Sequence, residues 1–244
     1  MQDKEIIKNI DDIAKKNKQA ALDQRSSREE ITNFLKAAGE MDSTNNGRLI
    51  FSLDATLSRQ PTWTTAMAIQ SSMFDAVGKV GGLSVQLVFF RGYDECRASK
   101  WVIHSAALRD LMQGISCLGG HTQIAKVLTH AIRQTKKAKV SALIFIGDAL
   151  EESIDSLSQR AGELGMHGVR CFFFQEGHDT TAERGFREMA KLTRGAYFRL
   201  GPDSAKELAE LLGAVAIYAR GGIKALAHSG RREAHLLLEQ INKG

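Results

Sequence analysis

The stretch Arg48-Leu-Ile-Phe-Ser-Leu-Asp54-Ala-Thr56-Leu-Ser58 decides the fold. After Arg48 it is an apolar run broken only by Ser52, and it stops on a carboxylate. Three further runs share its make-up: SVQLVFF at 84–90, VSALIFI at 140–146 and VRCFFF at 169–174. Each is rich in Val, Ile or Phe and bounded by Gly or a charge, the texture of a strand buried on both faces of a parallel sheet. Between the runs lie stretches of helical period, over 63–80, 122–136, 154–165 and 182–192. A short strand pattern at 196–200 then precedes a helix over 204–220. Strand and helix alternate throughout, which predicts an α/β fold: a Rossmann-like open, mostly parallel sheet with helices on both faces. Right-handed crossovers then place the carboxyl ends of the strands along one edge, where ligands bind.

Residues 1–47 have a different character. Ile6, Ile10 and Ile13, then Ile31, Phe34 and Leu35, recur at helical spacing among charges, and the turn formers Asp42-Ser-Thr-Asn-Asn-Gly47 close the segment. The expected organisation is an N-terminal helical segment at 1–47, the α/β domain at 48–220 and a C-terminal tail at 221–244. Gly221-Gly222 opens the tail, and a short amphipathic stretch at 234–241 follows. With 43% hydrophobic and 25% charged residues, the composition excludes a disordered chain or a collagen-like repeat. Three cysteines at irregular spacing imply no disulfide framework. The apolar runs are too short to span a bilayer, and MQDKEIIKNIDDIAKKNK lacks the apolar segment of an export signal, so a cytoplasmic location without membrane association is expected. The net charge of +5 is spread along the chain. Its densest basic stretch, Arg133-Gln-Thr-Lys136-Lys137-Ala-Lys139, reads as a solvated helix end. No nucleic-acid partner is expected, since one calls for a clustered basic face with base-reading side chains.

Three segments end at the same sheet edge. They are Asp54-Ala-Thr56-Leu-Ser58, the glycine-rich Gly119-Gly120-His121-Thr122-Gln123, and Ile146-Gly147-Asp148. Two carboxylates and three hydroxyls converge there, an all-oxygen set of the kind a hard cation such as Mg²⁺ prefers. The plainer reading makes these residues helix caps and turn formers. Capping alone, however, does not call for five such residues in three loops at one edge. Walker, GxGxxG, HExxH and GxSxG motifs are absent from the sequence. Cys96, His104, Cys117 and His121 lack the paired spacing of a zinc site. His121 belongs at the rim of the oxygen set. Glu151-Glu152 reads as the acidic first turn of the following helix, and Trp63 and Trp101 read as packed side chains.

The three segments, in their order and strand context, resemble the metal-ion-dependent adhesion site of von Willebrand factor A domains. That family's Asp-x-Ser-x-Ser is matched by Asp54-x-Thr56-x-Ser58, with threonine in place of the middle serine. Its Gly-x-Thr turn is matched by Gly120-His121-Thr122, and its third aspartate by Asp148 in LIFIGD. The resemblance covers residues 48–220. It implies Mg²⁺, with Mn²⁺ or Ca²⁺ as alternatives, held directly by Thr56, Ser58 and Thr122, with Asp54 and Asp148 balancing its charge. It also implies an adaptor without catalysis of its own, binding a protein partner that presents Asp or Glu. By family analogy that partner belongs to an intracellular complex, with AAA-type ATPase complexes among the examples. A second resemblance, to haloacid-dehalogenase-type phosphotransferases, rests on Asp54-x-Thr56-x-Ser58 and Gly147-Asp148-x-x-x-Glu152 and would make Asp54 a nucleophile. Against it, Thr56 stands where most such phosphatases carry an acid/base aspartate, and the helical pattern from 63 leaves little room for their inserted hairpin.

Overall fold

The structure, a computed structural model, describes residues 47–60, 63, 82–201 and 205–243. The N-terminal helical segment and, Trp63 apart, the helix expected over 63–80 lie outside the described residues. Six strands form one sheet: β1 (Gly47–Asp54), β2 (Leu83–Arg91), β3 (Glu95–Ala98), β4 (Ala142–Gly147), β5 (Arg170–Glu176) and β6 (Ala196–Leu200). Their order is β3-β2-β1-β4-β5-β6, parallel throughout except for the antiparallel β2–β3 pair at one edge. The described helices are α1 (Ser105–Gln113), α2 (Ile124–Lys137), α3 (Ile154–Met166), α4 (Thr180–Leu192), α5 (Ala205–His228) and α6 (Arg232–Lys243). The α/β fold class is as expected, and every apolar run quoted above is a strand. β3 and α1 were not anticipated. β3 is a short, partly exposed edge strand that needs no apolar alternation, and α1 turns only a few side chains, Leu108 and Met112 among them, into the core.

Alternation along β1 divides its side chains between two apolar layers. Leu49, Phe51 and Leu53 pack in the layer to which α5 contributes Leu211, Leu212 and Val215. Ile50 packs on the opposite face with Phe145 of β4, Phe173 of β5, Leu128 of α2, Leu157 of α3 and Phe186 of α4. Full burial of each such side chain stabilises the fold by about 1.5–3 kcal/mol. Gly47, at the start of β1, lies so close to α5 that a Cβ there would collide with the Ala219 carbonyl. The break expected at Gly221-Gly222 falls at Gly222, whose φ of 68° interrupts α5. Beyond it, Leu226, Ala234, Leu237 and Ile241 are buried in the same layer as the body of α5.

From β1 the chain runs to β2 on one side and later returns to β4 on the other. The sheet therefore has its switch point between β1 and β4, where a crevice opens at the carboxyl ends. Leu53 pairs with Ile146, so Asp54 and Gly147 end these neighbouring strands side by side, and Asp148 is one residue further on.

Candidate metal centre

Asp54 is fully buried, and its two carboxylate oxygens differ. Oδ1 accepts the Thr56 N–H at 2.7 Å, while Oδ2 is buried without a partner. The chain then tightens into a single 3₁₀ turn at Leu57–Arg59, which brings Thr56 Oγ1 within 3.1 Å of Ser58 Oγ. Across the crevice, Asp148 likewise has a buried Oδ1 without a partner. Gly147 permits this approach, since a Cβ there would lie 2.8 Å from the Phe145 ring and 3.3 Å from Asp54 Cβ. Burial pushes the Asp54 carboxyl up to about 6; hydrogen bonds from Thr56 oppose the rise, the Asp148 charge adds to it and Arg59 lowers it. Buried polar atoms are nearly always paired, and one that is not calls for a missing partner such as an ion. Two such oxygens, both on carboxylates and beside hydroxyls, fit a hard cation.

Thr122 is fixed by a reciprocal pair of bonds. Its N–H donates to Glu151 Oε2 at 2.9 Å, and its Oγ1 accepts the Glu151 N–H at 3.1 Å. The neighbouring Glu152 carboxylate accepts the N–H groups of Ile124 at 2.6 Å and Ala125 at 2.9 Å, and so caps α2. Glu151 and Glu152 are therefore not in the first turn of α3, which starts at Ile154 behind the N-cap Ser153. They serve the N-terminal region of a different helix, to which they fasten the Asp148 loop. The capping explanation of the hydroxyls does not hold at either place it applies. Thr56 precedes its 3₁₀ turn without a side-chain cap bond, and the N-cap of α2 is Gln123, also without one.

Backbone contacts tie the remaining loops together. The Leu118 N–H donates to the Ala55 carbonyl at 3.0 Å, and the His121 N–H to the Gly92 carbonyl at 3.3 Å. Gln123 Nε2 donates to the carbonyls of Arg91 and Gly92 at 3.2 and 3.1 Å. Gly120 lies so close to Gly92 that a Cβ would collide with the Gly92 carbonyl. The structure thus places Asp54, Thr56 and Ser58 in one hydrogen-bonded turn, with Asp148 close enough to act on the Asp54 charge. Thr122 is tied to the Asp148 loop through Glu151. His121 is exposed, its ring edge-on to Tyr93 with centroids 5.1 Å apart. Among the described residues no three His, Cys, Asp or Glu side chains gather as a metal site, so Cys96, His104, Cys117 and His121 form no zinc centre. A cation at this edge would depend on hydroxyl ligands.

Sequence reasoning missed Arg59 and Glu176. The Arg59 side chain is 0% exposed; Nη1 donates to the Asp54 carbonyl at 2.7 Å, and Nη2 and Nε donate to the Glu176 carboxylate at 2.6 and 3.3 Å. Its guanidinium also lies 5.6 Å from the Trp63 ring centroid. The available signals were an arginine next to Ser58 and a glutamate ending the run at 169–174, both of which pattern reading takes for solvated ends.

The sequence matches no protein-family model and no curated protein. Its structure is similar to several solved ones. A von Willebrand factor type A protein from Catenulispora acidiphila superposes over 72% of this chain at TM-score 0.59 and 15% identity, and the chain spans 43% of that protein. The SpRpn10 VWA domain superposes over 68% of this chain and 94% of its own, at TM-score 0.56 and 9% identity. An aerotolerance-related membrane protein from Bacteroides fragilis, carrying multiple mutations to serine, matches over 81% of this chain and 99% of its own, at TM-score 0.52 and 15% identity.

Proposed function

This chain has the von Willebrand factor A fold, and from it, together with the two buried carboxylate oxygens that lack donors at its β1–β4 edge, we propose a divalent-cation-dependent protein-binding module. Thr56, Ser58 and Thr122 would hold Mg²⁺ through their hydroxyls, with Asp54 and Asp148 balancing its charge; Mn²⁺ and Ca²⁺ are the alternative ions. When bound, the cation supplies an electrophilic open position for a partner's Asp or Glu carboxylate. The chain's own residues prepare that position. The Thr56 N–H fixes Asp54 Oδ1, Arg59 holds the Asp54 carbonyl, and Glu151 sets the Thr122 hydroxyl.

The protein in this reading is an adaptor, not an enzyme, working in a cytoplasmic complex. AAA-type ATPase complexes remain the partner class carried over from the family resemblance. No described helix is long and apolar enough to cross a membrane. The phosphotransferase reading gains nothing from the comparisons. The observation that carries the proposal is the pair Asp54 Oδ2 and Asp148 Oδ1, each buried without a hydrogen-bond partner. Titration with Mn²⁺ followed by electron paramagnetic resonance, with Mg²⁺ as competitor, tests it. Saturable binding is expected in the wild type, weakened about tenfold or more by Asp54→Ala and by Thr122→Ala with circular dichroism unchanged. Equal affinity in all three proteins would remove the site.

A further inference from the structure

Seven large hydrophobic side chains are exposed among the described residues, and three of them stand on the loops around this centre. Leu57, 56% exposed, lies between Thr56 and Ser58; Leu118, 50% exposed, precedes Gly119; Tyr93, 77% exposed, is at the β2–β3 turn. They form a connected frame. Thr56 and Leu118 are bridge partners, a Leu118 methyl lies 3.3 Å from where a Gly92 Cβ would be, and Tyr93 packs edge-on against His121. The frame is also fixed in place, because the turn bearing Tyr93 is fastened to the Thr122 loop by His121 N–H and Gln123 Nε2 through the Gly92 carbonyl. Single exposed apolar residues need no explanation, whereas a connected set rimming a polar centre marks an interaction surface.

We propose that this rim selects a partner protein segment in which an acidic side chain stands beside a bulky apolar one. The inference rests on the metal-centre reading: the carboxylate enters the centre, and the apolar neighbour packs on Leu57, Leu118 and Tyr93. Surface Asp and Glu are abundant on proteins, so a carboxylate alone selects poorly, and a preformed apolar contact beside it supplies the discrimination. Charge at the rim suits such a segment. Asp94 is paired with Lys126, and Glu95 with Arg91 and Arg97, so the acids flanking Tyr93 are already compensated.

Fluorescence polarisation with the full chain and Mg²⁺ tests this, using labelled Gly-Ser-Ala-Glu-Ala-Ser-Gly and Gly-Ser-Leu-Glu-Phe-Ser-Gly peptides. The Leu/Phe peptide is expected to bind about tenfold more tightly. Tyr93→Ser and Leu118→Ser should each erase most of that gain while Mn²⁺ affinity stays at the wild-type value, and EDTA should release both peptides. Equal affinity for the two peptides, or binding of neither while Mn²⁺ still binds, overturns the rim and leaves the metal centre standing. Failure of Mn²⁺ to bind overturns the centre itself and the rim with it. Sedimentation showing self-association abolished by Tyr93→Ser would reassign the rim to a second copy of the chain and overturn the proposal.

Discussion

Asp54 is buried by the strands on either side of it, and only one of its carboxylate oxygens is served by a donor. Its folded-state pKa of about 6 lies above the 3.8 of the unfolded chain, chiefly through desolvation. The sign of the linkage follows. Below pH 3.8 the group is protonated in both states and costs nothing; as the pH rises through 6 the unfolded chain has already released the proton that the fold still holds, and stability falls. The loss is on the order of 3 kcal/mol once both states are ionised. In EDTA, Asp54→Asn should therefore be the more stable protein at pH 7.5, with the difference vanishing near pH 4, as read from urea midpoints. A bound cation reverses the balance by favouring the ionised carboxylate. Apparent Mn²⁺ affinity of the wild type should then fall about tenfold per pH unit below 6. A flat affinity profile from pH 5 to 7 would show that Asp54 takes no part in binding.

At the level of elements, the buried Arg59 is a strut between the turn after β1 and the end of β5. Removing one partner of a buried ion pair leaves the other charged and uncompensated, which costs about 3–5 kcal/mol. Arg59→Ala should show a loss of that size in chemical denaturation, and Arg59→Ala/Glu176→Ala should recover part of it. Strict additivity of the two single losses would mean that the pair is not coupled. This strut also marks the limit of what the sequence discloses. β1, β2, β4 and β5 are legible because a strand covered on both faces must be apolar along its length. The oxygen set is legible because Asp54, Thr56 and Ser58 are close in sequence and Asp148 directly follows an apolar strand. β3 carries no such signature, since an edge strand half open to solvent can use Glu, Cys and Arg. Glu151 and Glu152 show a subtler limit. Attraction of carboxylates to a helix N-terminus was the right force, yet the helix concerned lies across the crevice, a pairing that no local period records. Arg59 and Glu176 are still further apart in sequence, and only the sheet order brings them together.

For the whole described fold, the question is where its core ends. The glycine pair at 221–222 reads as a boundary, and Gly222 does interrupt α5. A change of direction need not end a core, however, and here the chain turns back onto the layer it has just left. Leu226 and Leu237 are fully buried, Ala234 and Ile241 nearly so, all in the layer built from β1, β2, β4 and α5. At about 1.5–3 kcal/mol for each large apolar side chain, Leu226, Leu237 and Ile241 together contribute on the order of 5 kcal/mol. That is comparable with the entire net stability of an ordinary domain. A chain ending at Arg220 should thus be marginally folded or unfolded in water, whereas a mere appendage could be removed with no change in the urea midpoint. Truncation alone gives only a coarse answer when folding fails outright. Leu237→Ala and Ile241→Ala should accordingly each cost about 2–5 kcal/mol in the full chain, with cooperativity retained. Losses of only a few tenths would show that the final helices rest on the domain from outside, and that the core is closed by α5 before Gly222.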